Sequence, residues 1–295
     1  MARVVVIGDI GGHPGQLQRA LLAIGASGHE HHPPTWAEEA GGILAPLRLP
    51  DDVMVVQVGD LIDRGPDSGG VLKIVHDLMD AHPDQWIQLT GNHEAQYLDG
   101  GEVFWPEPLA GDDFLQVREW WADRRLDVAA AVRTSDGEDF LITHAGLTVD
   151  AWRELGVPDT AATAARWLND RPAGLLWCAG LRNLDRTAGP FWADAGWELY
   201  EPWLRFAAEG GFIPFGQIHG HSSIVRYTDR SWRCPGRVRE RATVDWEARQ
   251  TRFRAGGRVF IGVDPKHGRH GAMHWTPLVL DDAVVTSAHP TPSTR

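Results

Sequence analysis

Apolar positions in this chain come in short, dense runs, and each run ends in a turn carrying an acid, an amide or a histidine, mostly beside glycine. Val4-Val5-Val6-Ile7 is the first run, Val53-Met54-Val55-Val56-Gln57-Val58 the second and Trp86-Ile87-Gln88-Leu89-Thr90 the third. Runs of this length, rich in β-branched residues, predict strands covered on both faces, as in a parallel sheet. Between them the spacing turns helical. Leu17, Leu21, Leu22 and Ile24 mark a helix over about 14–24, and a second begins near Ser68 and runs through Met79. The runs 128–133 and 140–143 flank Ser135-Asp136-Gly137 and predict a hairpin. Further strands are expected at 213–218 and 259–264, with 275–280 as the last. Four stretches break the pattern, at about 25–50, 100–124, 171–202 and 226–258. They are expected as insertions in a single domain spanning 1–295, the second of them lying over a site.

Composition narrows the class. With 43% apolar residues among 295, the chain can bury a substantial core. No apolar run is long enough to span a membrane, and the N-terminus enters a strand at once without a signal-cleavage pattern. Two cysteines, Cys178 and Cys234, make no disulfide framework, so a cytoplasmic protein is expected. The formal charge of −12 argues against nucleic-acid binding by the whole surface. The stretch 226–258 departs from that balance: ten arginines against Asp229, Glu240, Asp245 and Glu247 give it +6, leaving −18 elsewhere. It reads either as a basic rim attracting an acidic or polyphosphorylated substrate or as a solvated β-ribbon with alternating arginines. No nucleic-acid-binding module surrounds it. The tract His29-Glu30-His31-His32 stands beside two prolines and reads as a solvated loop rather than a metal site.

The candidate chemistry sits where the strands end. In order, the five ends carry Asp9, then Asp60 with Asp63 and Arg64, then Asn92 with His93, then His144, then His221. In open α/β sheets, ligands bind outside the carboxyl ends of the strands. Carboxylate, amide oxygen and imidazole together suit Mn, Fe or Zn better than Ca or Mg, which prefer oxygen alone.

Gly59-Asp60-x-x-Asp63-Arg64-Gly65 and Gly91-Asn92-His93-Glu94 resemble two signature motifs of the phosphoprotein phosphatase family, bacterial type, within the calcineurin-like metallophosphoesterases. His144-Ala145-Gly146, Gly220-His221-Ser222 and Val263-Asp264 extend the resemblance over about 4–280. It implies an α/β sandwich, two mixed β-sheets flanked by helices, and two divalent metal ions, with Mn first and Fe or Zn as alternatives. Asp60 would bridge the metals, Asp9 would ligate the first, and Asn92, His144 and His221 would complete the second. Arg64 would hold phosphoryl oxygens, and His93, oriented by Asp63, would be the general acid opposite a metal-activated hydroxide. The activity implied is phosphoester hydrolysis by a serine/threonine phosphoprotein phosphatase-like phosphomonoesterase. A hydrolase of dinucleoside polyphosphates or another small phosphorylated metabolite carries the same motifs. The partner would be a phosphorylated protein or such a metabolite.

The first motif departs from the family. It normally reads Gly-Asp-x-His-Gly, and here reads Gly8-Asp9-Ile10-Gly11-Gly12. Gly11 replaces a metal-ligand histidine, and His13 is the nearest substitute, the alternative being that it starts the helix. A chain with an impaired first metal site could act as a phosphate-binding module with little turnover. Retention of the general-acid residues argues against that. His221 is preferred to His219 as a ligand because it follows glycine. Arg182, or alternatively Arg186, is the candidate for a second substrate-binding arginine.

Overall fold

The computed structural model describes residues 2–28, 47–98, 101–179, 188–268, 270–271 and 274–287. Arg182, Arg186, the His29–His32 tract and most of 25–50 lie outside the described residues. The first half alternates strand and helix: β1 (Arg3–Ile7), α1 (Pro14–Ala23), β2 (Val53–Gln57), α2 (Ser68–Ala81) and β3 (Trp86–Gln88). Two helices follow, α3 (Asn92–Ala95) and α4 (Gly111–Ala122), and then the hairpin β4 (Ala129–Thr134) and β5 (Asp139–Thr143). The helices α5 (Val149–Glu154), α6 (Ala161–Asn169) and α7 (Ala173–Leu176) lead to a π-helical turn, Ala195–Tyr200, and α8 (Glu201–Ala208). The remainder is β6 (Gly216–His219), β7 (Val225–Arg226), β8 (Ser231–Trp232), α9 (Gly236–Arg239), β9 (Ala242–Asp245), β10 (Gln250–Ala255), β11 (Arg258–Gly262), β12 (Leu278–Asp281) and β13 (Ala283–Val285).

Two mixed sheets result. One has the order β12-β1-β2-β3 and the other β13-β4-β5-β6-β11-β10-β9. The valine-rich runs pair in parallel, Val5 with Val55 and Val56 with Ile87. Side chains alternate across a strand, so each face has its own partner. Val4, Val6, Val56 and Val58 meet Ile142, Ile218 and Ile261 of the second sheet. Val5, Ile7 and Val55 pack with Leu17 and Leu21 of α1 and Val71 and Val75 of α2. On the far side, the alanines of α6 allow it close against Ala129, Ala131 and Leu141. The four layers run helix, sheet, sheet, helix, and the parallel strands β1, β2, β3, β5 and β6 send their carboxyl ends to one edge.

Two stretches differ in detail from their expectation. Within the stretch 226–258, β9 and β10 extend the second sheet, and Arg252 and Arg254 face out while Thr251 and Phe253 face in. The alternating-arginine reading describes β10, a strand half covered by the core. The strand at 275–280 begins later, at Leu278, and is not the last, because β13 follows and pairs with β4.

Candidate active site

The loops at the shared edge are held by backbone, not by side-chain packing alone. After β2 the chain turns through Gly59 into Asp60. The buried carboxylate of Glu94 ties this turn to the next one. Its Oε2 accepts from the backbone N–H of Asp60 and of Gly91, and its Oε1 from that of Leu61, each at 2.8 Å. The two turns approach so closely that a Cβ on Gly91 would lie 2.3 Å from both the nitrogen and Oδ1 of Asp60. Burial and the neighbouring Asp60 push the Glu94 carboxyl up to about 7, against the hydrogen bonds from Gly91 and Leu61. Asp60, Asp63, Arg64 and His221 all hold left-handed backbone, with φ between 53° and 67°. Such conformations cost energy in residues with a side chain and gather at functional sites.

Four potential ligand atoms converge. His144 Nε2 lies 3.1 Å from Asn92 Oδ1, 3.2 Å from His221 Nδ1 and 3.3 Å from Asp60 Oδ1. Asn92 Oδ1 is also 2.9 Å from His221 Nδ1. The other nitrogen of His144, Nδ1, donates to the Val58 carbonyl at 2.9 Å, which leaves the lone pair on Nε2 facing the cluster. Burial lowers the pKa of His144 and of His221, favouring the neutral imidazole that ligates metals. Burial alone would raise Asp60. The positive charge around it, including that of the Arg64 guanidinium bonded to its Oδ2, outweighs burial and keeps this carboxylate ionised. Acceptors facing acceptors at about 3 Å repel unless a cation lies among them, so the donor set fits a divalent ion. Among the described residues, Asp60, His144 and His221 are the one such group of histidine, cysteine and carboxylate residues.

His93 stands on the open side of this cluster. Its Nδ1 donates to Asp63 Oδ2 at 2.6 Å, and its Nε2 accepts from Arg64 Nη2 at 3.0 Å. Arg64 Nη2 also donates to Asp60 Oδ2 at 3.1 Å. The rings of Phe104 and Trp105, from the 100–124 stretch, sit edge-on to the imidazole, both 5.1 Å from it. Trp120, in the same stretch, is buried and stacks on His76 instead. A cavity of about 310 Å³ opens beside His93, lined among others by Arg64, Asn92, Phe104, Trp192 and His221.

Asp9 is buried against the cluster. Its Oδ1 accepts from the backbone N–H of His221 at 3.0 Å, and its Oδ2 makes no hydrogen bond. Burial, then Asp264 and Asp60, raise its carboxyl well above the usual range. His13, the proposed substitute for the missing histidine, is not brought to this cluster. Its Nε2 donates to the Gly268 carbonyl at 2.8 Å and its ring packs on His267. His219 is likewise turned away, donating from Nδ1 to the Gly220 carbonyl and accepting from the Tyr200 hydroxyl at 2.7 Å.

Several residues of this edge carry no local signal. Gln96 donates to Asp63 Oδ2 at 2.8 Å and accepts from the backbone N–H groups of Phe104 and Trp105, coupling the His93 partner to the aromatic cover. Trp192, Arg233 and Lys266 line the cavity from distant parts of the chain. Glu94 belongs to a recognised motif, but its role as a clamp on Asp60 emerges only when the two turns meet.

A two-sheet sandwich with carboxylate, amide and imidazole groups converging at the strand ends, and an arginine and histidine beside them, is the architecture of a metallophosphoesterase. The chain belongs to the calcineurin-like phosphoesterase family, whose profile matches residues 2–223. Among solved structures it is similar to a protein serine/threonine phosphatase from Saccharomyces cerevisiae, at 14% identity over 99% of this chain and 82% of that one, with a TM-score of 0.44. A cold-active protein tyrosine phosphatase matches at 15% identity over 90% of this chain and 70% of that one, with a TM-score of 0.46. A protein provisionally assigned as a diadenosine tetraphosphatase matches at 15% identity over 98% of this chain and 95% of that one, with a TM-score of 0.41. Among the described residues, no helix is long and apolar enough to cross a membrane.

Proposed function

We propose that this phosphoesterase is a metal-dependent phosphomonoesterase in which His93 is the general acid and Arg64 the phosphate clamp. The observation that carries the reading is the contiguity of two sets of atoms. The ligand cluster of Asp60, Asn92, His144 and His221 shares Asp60 with the Arg64–His93–Asp63 chain through one guanidinium. Asp60, Asn92, His144 and His221 would hold a divalent ion, Mn by the resemblance, which would supply Lewis-acid activation of water near neutral pH. Arg64 then exchanges its bonds to Asp60 and His93 for two phosphoryl oxygens, which its planar fork matches. That exchange frees His93 Nε2. Protonated there, and fixed through Nδ1 by Asp63, the ring donates to the leaving oxygen.

Two substrate classes follow. The motifs support a phosphorylated protein. The cavity supports a small phosphorylated metabolite: about 310 Å³ is at the low end for ligand sites, and Phe104 and Trp192 offer flat apolar walls. Specificity constants for a phosphoserine peptide, a nucleoside monophosphate and a diadenosine polyphosphate, measured with and without chelator, separate the two. Chelator-sensitive hydrolysis that Asp60→Asn abolishes is expected. Hydrolysis that survives both chelation and Asp60→Asn overturns the reading.

A further inference from the structure

Lys266 is absorbed by none of this, yet it lines the same cavity as Arg64, His93 and His221. Three observations set it apart from a surface lysine. First, its backbone is left-handed, with φ 56°, a conformation it shares with Asp60, Asp63, Arg64 and His221. Second, its ammonium is held at two points. Nζ is 2.9 Å from Asp264 Oδ2, a fully buried carboxylate, and donates to the His221 carbonyl at 3.0 Å. Its backbone N–H also donates to Asp264 Oδ1 at 2.7 Å, so lysine and carboxylate form one compact turn. Third, the loop that presents it is anchored on both sides. Arg249 donates to the Pro265 carbonyl at 2.8 Å, and His13 donates to that of Gly268.

The position matters because it lies on the side of the cluster where the chain departs from its family. A metal there would have Asp9 and Asp60, but Gly11 offers no side chain. A Cβ at Gly11 would face the stem of Arg64. His13 is spent on Gly268, holding the loop that carries Lys266. The residues on this side do not fit a second metal. They do place a fixed cation on the carbonyl of His221, the residue whose backbone N–H bonds Asp9.

We infer that the Lys266 ammonium, seated on Asp264 and the His221 carbonyl, takes the place at the phosphoryl group that a first metal would otherwise take. The chain then holds one divalent ion and grips the phosphoryl group with Lys266 as well as Arg64. This rests on the phosphate site proposed above, but its test does not depend on turnover.

Full-length protein, stripped of metal, saturated with Mn and freed of excess, is assayed for Mn per chain. One ion is expected, and two overturn the inference. Binding of inorganic phosphate to the Mn-loaded protein is then followed by tryptophan fluorescence. Lys266→Met is expected to weaken it by about 10-fold. Because that change leaves Asp264 buried without its cation, the double variant Lys266→Met/Asp264→Asn is measured alongside, with the same expected loss. Unaltered phosphate affinity in a folded variant overturns the inference. A protein that binds one Mn and loses phosphate affinity in these variants, yet hydrolyses no phosphoester, leaves Lys266 in place and refutes the proposed function alone.

Discussion

Replacing His93 by asparagine separates proton donation from every other contribution of the site. The ring is fixed on three sides, by Asp63 at 2.6 Å and by Phe104 and Trp105 at 5.1 Å. An acid held this firmly contributes about 10²–10⁴ in rate, or about 3–5 kcal/mol of barrier. The benefit depends on the leaving group. An alkoxide such as that of phosphoserine needs the proton, and p-nitrophenolate departs without it. His93→Asn is therefore expected to cut kcat/KM by about 10²–10⁴ for an alkyl phosphate and by less than about 10-fold for p-nitrophenyl phosphate. Asp63→Asn removes the charge-assisted bond to Nδ1, a bond of about 1.5–3 kcal/mol, so it is expected to cost about 10–100-fold on the alkyl substrate. The two residues act as one unit, and the double variant should be no worse than His93→Asn. Steady-state kinetics on both substrates provide the assay. Equal losses on both, or a double variant whose loss is the product of the single ones, would refute the role given to His93.

Three further outcomes follow from the geometry. His219 is buried and neutral, its pKa lowered from 6.5 to about 4 by burial. A base depressed in the folded state contributes stability that is complete above about pH 6.5 and is lost as pH falls towards 4, here up to about 3 kcal/mol; urea midpoints at pH 7 and pH 4.5 that coincide would contradict this. Glu94→Ala leaves the N–H groups of Asp60, Leu61 and Gly91 without their acceptor, at a net cost of about 2–4 kcal/mol by chemical denaturation; a wild-type midpoint would show that water or a shift of the turns replaces the carboxylate. Gly91→Ala drives a methyl to within 2.3 Å of Asp60, so Mn affinity should fall along with stability, and an unchanged Mn dissociation constant would mean that Asp60 is not held as described.

The strand ends were legible because their signals are local. A valine-rich run, a glycine and a polar residue are contiguous, so β1, β2 and β3 and the turns after them can be read directly from 4–9, 53–65 and 86–94. The π-helical turn that brings Tyr200 to His219 was not legible, because it lies within 171–202, a stretch rich in glycine, proline and tryptophan that shows no period. The strand β13 was missed because three residues give no periodicity, and only its pairing with β4 defines it. At the site, the residues within motifs were nameable, and those acting across loops were not. Gln96 reaches Asp63 over 33 positions. Lys266 reaches the His221 carbonyl over 45. His13 was read as a substitute ligand from its distance along the chain alone. The fold instead carries the 264–268 loop past it and gives Nε2 a carbonyl to bond.

Stepwise return of Mn to metal-stripped protein, with p-nitrophenyl phosphate turnover recorded at each addition, tests the central claim most directly. Turnover that is absent before Mn, rises to saturation with it and is missing from Asp60→Asn is the predicted result. Turnover that persists in chelator, or that stays absent at every Mn concentration in folded protein, would contradict the assignment of Asp60, Asn92, His144 and His221 as the ligands of a working metal.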